Sequence, residues 1–130
     1  MQGRVEWVGG TKMVGTNSNG QSIEMDWDDG PGPMQLALQM IGACSLVDVV
    51  IGLKDRNFSA VWVEIDSTRR EESPRSFTSI DMQYHIKGEV PKLLAERIVQ
   101  KSHEKYCSVS NSINPSIKIN CTVIIYDIPQ

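Results

Sequence analysis

Cysteine is scarce in this chain, and its distribution is informative. The three thiols, Cys44, Cys107 and Cys121, stand 63 and 14 positions apart. That odd count and spacing fit neither a disulfide scaffold nor a zinc module. Histidine is scarcer still. His85 and His103 fall at no metal-ligand spacing with the cysteines, so no metal site is expected. Aromatic residues make up only 6% of the chain. There is no excess of basic charge: Lys and Arg number 13 against 16 Asp and Glu, a net charge of -3. This offers no long-range attraction to phosphate backbones and argues against a nucleic-acid partner. Glycines 9, 10, 15, 30 and 32 build no phosphate-cradling loop followed by a lysine, so no nucleotide cofactor is expected, and no other cofactor is suggested. The stretch from Met1 to Gly15 lacks the apolar run and small-residue cleavage site of a signal peptide. The expectation is a cytoplasmic protein with reduced thiols.

What is present points to one soluble domain over 1–130. With 130 residues, 40% hydrophobic and 22% charged, disorder, collagen and coiled-coil classes are excluded. A chain of this size buries roughly two thirds of its unfolded surface, enough for a core without staples. The one long apolar run, Leu36 to Leu53, is borderline in length for a membrane span. Asp48 near its middle would cost about 3 kcal/mol in a bilayer, so no membrane partner is expected. The run reads instead as a buried helix, opened by Gly30-Pro31-Gly32-Pro33 and closed near Asp55 to Asn57. Its apolar residues go nearly all the way round, which one small sheet cannot cover, and this predicts a dimer.

Alternating patterns predict strands. Val61, Val63 and Ile65 alternate with Trp62, Glu64 and Asp66, and Ile80, Met82, Tyr84 and Ile86 alternate with Asp81, Gln83, His85 and Lys87. Ser67 to Ser76 between them is charged and holds Pro74, the exposed tip of an antiparallel hairpin. Shorter strands fall near Arg4–Val8, Lys12–Thr16 and Ser22–Trp27, turned at Gly9-Gly10 and Asn17–Gly20. An amphipathic helix is expected from Val90-Pro91 to about Lys105, a short helix over Ser108–Ile113, and a last strand over Ile117–Ile128. The fold class is therefore α+β, with antiparallel sheets around a buried helix.

The cysteines differ in context. Cys121 shares a strand face with Ile117, Ile119, Val123 and Ile125 and reads as core. Cys44, in the buried helix, also reads as a small core residue on composition alone. Gly42 beside it, however, costs helix stability and signals close approach of another backbone or of a ligand. Cys107 sits where one helix ends and a short one begins. It is either a thiol activated by exposed N–H groups at a helix amino end or one satisfied locally at the junction. His103 and Cys107 would be neighbours on a continuous helix, a thiol–imidazole pairing that the Tyr106-Cys107-Ser108 junction opposes.

Several stretches resemble a known family. Val5-Glu6-Trp7-Val8-Gly9-Gly10, Gly32-Pro33-Met34-Gln35-Leu36-Ala37-Leu38, Ile41-Gly42-Ala43-Cys44-Ser45, Asp48-Val49-Val50 and Glu104-Lys105-Tyr106-Cys107-Ser108-Val109 are similar to the OsmC/Ohr proteins, the osmotically inducible and organic hydroperoxide resistance family. The Thr68-Arg69-Arg70-Glu71-Glu72 stretch, Pro74-Arg75 and Tyr106-Cys107-Ser108-Val109 resemble its small YhfA-like branch.

The resemblance implies an intertwined α+β homodimer with central helices and interfacial active sites. It also implies a thiol peroxidase in which Cys44 attacks an organic hydroperoxide, Cys107 resolves the sulfenic acid to a disulfide, and an external dithiol reduces it. One departure is clear. Family peroxidases activate the thiol with an arginine held by a glutamate near the start of the central helix. Here no arginine lies between Arg4 and Arg56, and Gln35 stands at the glutamate position. Asp48, if ionised, would raise the Cys44 pKa. Arg69 and Arg70 read as a solvated hairpin tip, with reach across a dimer interface as the alternative. The alternative function is a non-catalytic member that binds a small apolar or electrophilic molecule at the dimer interface.

Overall fold

Turn chemistry sets the first strands of the computed structural model, which describes residues 1–127. Strand β1 (Gly3–Gly9) turns into β2 (Lys12–Asn17) through Gly9 and Gly10, whose φ values of 117° and 54° only glycine adopts without strain. Asn17 Oδ1 accepts the N–H groups of Asn19 and Gln21 and so shapes the next turn into β3 (Ser22–Asp26). The three form an antiparallel meander in the order β1-β2-β3. Asp26 ends it, with its Oδ1 accepting the N–H groups of Asp28 and Asp29 and the Thr11 hydroxyl.

Helix α1 (Pro33–Gly52) starts with proline in its first position, and Gln35 Oε1 accepts the Gly32 N–H at 2.8 Å. That bond is the returning half of a capping box, so Gln35 fixes the helix start. The chain divides into two compact units, Met1–Leu38 and the remainder from Gln39.

In the second unit, Ile41, Ser45, Val49 and Leu53 are buried along one stripe of α1. Met40, Val47, Val50 and Ile51 on the other side stay exposed. The expected all-round burial is therefore not achieved within one chain. By length and composition α1 is able to cross a membrane. Its packed stripe and the bonding of Asp48 described below make it a core helix of this unit. Gly42 lies against Val63 and Ile65, the close approach that its position in the helix predicts.

Strands β4 (Asn57–Arg69) and β5 (Phe77–Glu89) pair antiparallel, with Val61 opposite Ile86, Val63 opposite Tyr84 and Ile65 opposite Met82. The hairpin tip is cross-braced: Arg69 Nε donates to the Arg75 carbonyl at 2.8 Å, and Arg75 Nε to the Arg70 carbonyl at 3.1 Å. Helix α2 (Lys92–Lys101) then carries the chain to β6 (Lys118–Tyr126), which pairs parallel to β5. This corrects the expectation of purely antiparallel sheets. A helical crossover returns the chain to the same end of the sheet, and a strand laid down after it runs parallel. The predicted end of the last strand, Ile128, lies outside the described residues.

The expected wet face of β5 is also not uniform. His85 is buried, because Trp62 and Tyr126 stack on it with ring centroids 4.8 and 5.8 Å away. Cross-strand aromatic pairs of this kind dry a sheet face that polar residues would otherwise leave open.

Candidate active site

Helix α1 presents Cys44 and Asp48 one α-helical turn apart. The segment after α2 presents a matching pair by a different geometry. From Ser102 to Tyr106 the chain winds as a π-helical turn, and the Cys107 N–H donates to the Ser102 carbonyl five residues back at 2.6 Å. A continuing α-helix would stack Tyr106 over Ser102. The wider turn places Cys107 there instead, and such turns occur mostly where a side chain must be re-aimed. The α-helix expected to reach Lys105 therefore stops at Lys101, and the short helix expected over Ser108–Ile113 is a 3₁₀ turn, Ser110–Ser112.

The two pairs interlock. Ser102 Oγ donates to Asp48 Oδ2 at 2.6 Å. Cys44 is a near enough neighbour of Cys107 to disfavour ionisation of its thiol. Cys107 is fully buried and Cys44 half-buried, and both are free thiols. Burial pushes the Cys107 thiol up, and the neighbouring Cys44 adds to this. The Ser110 hydroxyl and N–H pull the other way, with the N–H 3.4 Å from Cys107 Sγ at the start of the 3₁₀ turn. The net direction is upward, so the structure favours the locally satisfied buried thiol over the activated one, with the Ser110 N–H only a partial offset.

A buried polar chain adjoins the sulfurs. Ser45 Oγ bonds the Tyr84 hydroxyl, which in turn lies 2.8 Å from His103 Nε2. His103 Nδ1 is 3.2 Å from Ser110 Oγ. Burial holds Tyr84 neutral and keeps His103 below the usual histidine range, the latter partly offset by the charge of Asp48. His103 meets Ser110 among the described residues, rather than Cys107 directly, because the π turn shifts the helical phase between them. Ser45, Tyr84 and Ser110 were not singled out from the sequence. A tyrosine on the apolar face of β5 and a serine in an apolar helix are each a buried hydroxyl requiring a partner, and that was the available signal.

Cys121 needs correction. It does face α2 with Ile119 and Val123, but it is exposed rather than core. Helix α2 covers Val123 and leaves a groove of about 500 Å³ bounded by Glu96, Val99, His103, Ile119, Cys121 and Val123. The surrounding protein still desolvates the thiol and pushes it up to about 11. Arg69 and Arg75 give their Nε donors to the hairpin carbonyls, and Gln35 gives its carbonyl oxygen to the helix start.

Comparison with known proteins gives a consistent set of relatives. Residues 26–122 match the family described as OsmC-like protein. Protein YhfA of Escherichia coli strain K12 is 38% identical over 125 residues, covering 92% of this chain and 93% of that one. A hypothetical protein from Aquifex aeolicus VF5 superposes with a TM-score of 0.90 at 28% identity, over 98% of this chain and 97% of the other. An organic hydroperoxide resistance protein from Elizabethkingia anophelis shares the fold, with a TM-score of 0.70 at 20% identity over 93% and 92% of the two chains. The α+β fold agrees with these relatives, and the chain belongs to the OsmC-like family.

Proposed function

We propose that this protein is a cysteine-based peroxidase that reduces organic hydroperoxides in oxidative stress defence, with Cys44 attacking and Cys107 resolving. The observation that supports the reading is that two cysteines 63 positions apart in sequence are near enough for Cys44 to influence the Cys107 thiol, beside a buried polar chain. In the first step the Cys44 thiolate attacks a peroxide oxygen. The O–O bond breaks, the alcohol departs, and sulfur is oxidised to a sulfenic acid. Cys107 then displaces hydroxide from that sulfur, water is released and the S–S bond forms. A dithiol reductant returns both sulfurs to thiols by exchange. Cys44 lies on the same side of α1 as the exposed Met40, Val47 and Ile51, an apolar surface suited to the alkyl part of such a substrate. The kinship with a solved organic hydroperoxide resistance protein supports the substrate class. A cytoplasmic location, where reduced dithiols are available, is part of the same reading.

The exposed stripe of α1 further supports a homodimer in which a second copy of the chain covers it. Each large apolar side chain so buried contributes about 1.5–3 kcal/mol. Sedimentation equilibrium at low micromolar concentration is expected to give twice the 14.5 kDa chain mass. A monomer mass removes the dimer.

One equivalent of cumene hydroperoxide is expected to lower the chain mass by two hydrogens, with a peptide map joining Cys44 to Cys107. A single added oxygen retained on Cys44 rejects Cys107 as the resolving thiol. An unchanged mass rejects peroxidase chemistry and favours the second reading, a ligand-binding member without turnover. The capping role of Gln35 is the observation on that side, since its side-chain oxygen is occupied at the helix start.

A further inference from the structure

We infer that Ser45, Tyr84, His103 and Ser110 form a proton relay that serves Cys107 as it closes the disulfide. The inference rests on the thiol chemistry proposed above but assigns it residues that chemistry does not name. The chain runs from Ser45 on α1, through the Tyr84 hydroxyl on β5, to both ring nitrogens of His103 and on to Ser110 Oγ, with 2.8 and 3.2 Å at the two imidazole links. Ser45 and Tyr84 are fully buried and His103 half-buried, so bulk water is a poor substitute for these partners.

The chain is satisfied in two opposite polarities. In one, Ser45 donates to Tyr84, Tyr84 to His103 Nε2, His103 Nδ1–H to Ser110, and Ser110 to the Cys107 carbonyl 3.3 Å away. In the other, Ser45 donates to the Gly42 carbonyl at 3.2 Å, Tyr84 donates to Ser45, His103 Nε2–H donates to Tyr84, and Ser110 donates to Nδ1. No donor or acceptor in the chain loses its partner between the two. A hydrogen-bonded chain with two complete polarities moves a proton without leaving an orphaned group.

In the second polarity Nδ1 is free to take a proton passed through Ser110. Ser110 adjoins the thiol, with its N–H 3.4 Å from Cys107 Sγ and its hydroxyl 3.3 Å from the Cys107 carbonyl. On rotation of the thiol toward that hydroxyl, its proton passes to the Ser110 oxygen as the Ser110 proton moves to Nδ1, leaving a thiolate and an imidazolium. The thiolate attacks the sulfenic sulfur of Cys44, the S–S bond forms and the S–O bond breaks. The departing hydroxide takes the proton back from the imidazolium and leaves as water. His103 acts through Ser110 and not on sulfur itself, so it is a positioning residue for the proton.

The relay needs neutral imidazole. The groups facing His103 are Asp48 from α1, Tyr84 from β5, Cys121 from β6, and Lys92, Glu96 and Glu104 along the neighbouring groove. Burial outweighs the carboxylate of Asp48 and keeps the ring neutral near pH 7. Disulfide closure is therefore expected to slow only as pH falls below the usual histidine range, where the ring begins to hold a proton and cannot accept another.

The test follows disulfide closure in single turnovers by quenched mass measurement, using reduced full-length protein and two oxidants. Cumene hydroperoxide reports the proposed activity. Diamide bypasses it, since Cys44 adds across its azo bond and Cys107 then displaces the hydrazine to form the disulfide. With either oxidant, His103→Gln is expected to slow closure by roughly 100-fold at pH 7 and to erase the acid inflection, leaving formation of the Cys44 adduct unchanged. Ser110→Ala keeps the backbone N–H to Cys107 Sγ and is expected to give the same two losses, so it decides the matter if His103→Gln misfolds. Closure by diamide at wild-type rates and with the wild-type pH profile in both variants overturns the relay. Loss of the inflection with diamide, when hydroperoxide oxidises nothing, upholds the relay and overturns the peroxidase alone.

Discussion

Cys44→Ser is expected to cut hydroperoxide consumption in the presence of a dithiol by roughly 10³-fold, to the rate without protein. The hydroxyl ionises far above any working pH and does not accept a peroxide oxygen. An ordinary thiol of pKa near 8.5 is about 3% thiolate at pH 7, and the thiolate is the reacting form. Cys107→Ser is expected to fail differently. The first equivalent of peroxide still reacts, and the protein then rests as the Cys44 sulfenic acid, detectable by dimedone adduct mass. Peroxide consumption by Cys44→Ser equal to wild type eliminates the catalytic reading. The burial that raises Cys107 is compatible with this division of labour. A resolving thiol has to lose its proton only when the sulfenic acid is already beside it, whereas an attacking thiol needs its charge at rest.

The sequence showed the elements better than it showed how they meet. Alternation in Val61 to Ile65 and in Ile80 to Ile86 is a local property, and the register that pairs them follows from burying one face. The apolar run around Cys44 likewise marks a helix whatever its neighbours. By contrast, the parallel seat of β6 depends on where α2 sets the chain down. The exposure of Cys121 depends on how much of the sheet α2 covers. Neither is encoded in the periodicity of the strand itself.

The site divides in the same way. Cys44 and Cys107 are candidates because each stands in a stretch that resembles the family; the residues alone left both open. The placing of Cys107 depends on one π-helical turn that adds a residue between Ser102 and the residue stacked over it, and no local pattern distinguishes that turn from a continuing α-helix. The Tyr84–His103 link was hidden for a related reason. Tyr84 reads as one more apolar residue on its strand, and His103 as one more polar residue near a helix end, until the fold sets them 2.8 Å apart.

Gly88→Ala is expected to destabilise the protein by about 3 kcal/mol and to lower the melting temperature by about 10 °C, read by circular dichroism. Gly88 lies opposite Phe58 where the β4–β5 register shifts between Phe58 and Ala60. A Cβ built on it falls 2.5 Å from the Asn57 carbonyl oxygen and 2.6 Å from Phe58 Cα. Its φ is not positive, so the requirement is for space and not for a left-handed backbone. The obstructing atoms are main chain, which moves only by prising β4 from β5 at the bulge. Gly42→Ala is the informative contrast. There the added methyl meets the end of the flexible Ile65 side chain, and the helix gains about 1 kcal/mol of propensity in return. Its net effect is expected to stay within about 1 kcal/mol. Equal melting temperatures for Gly88→Ala and wild type would show that the hairpin base yields more freely than its packing implies. Because β5 also carries Tyr84, that result would loosen the case for a rigidly held site as well.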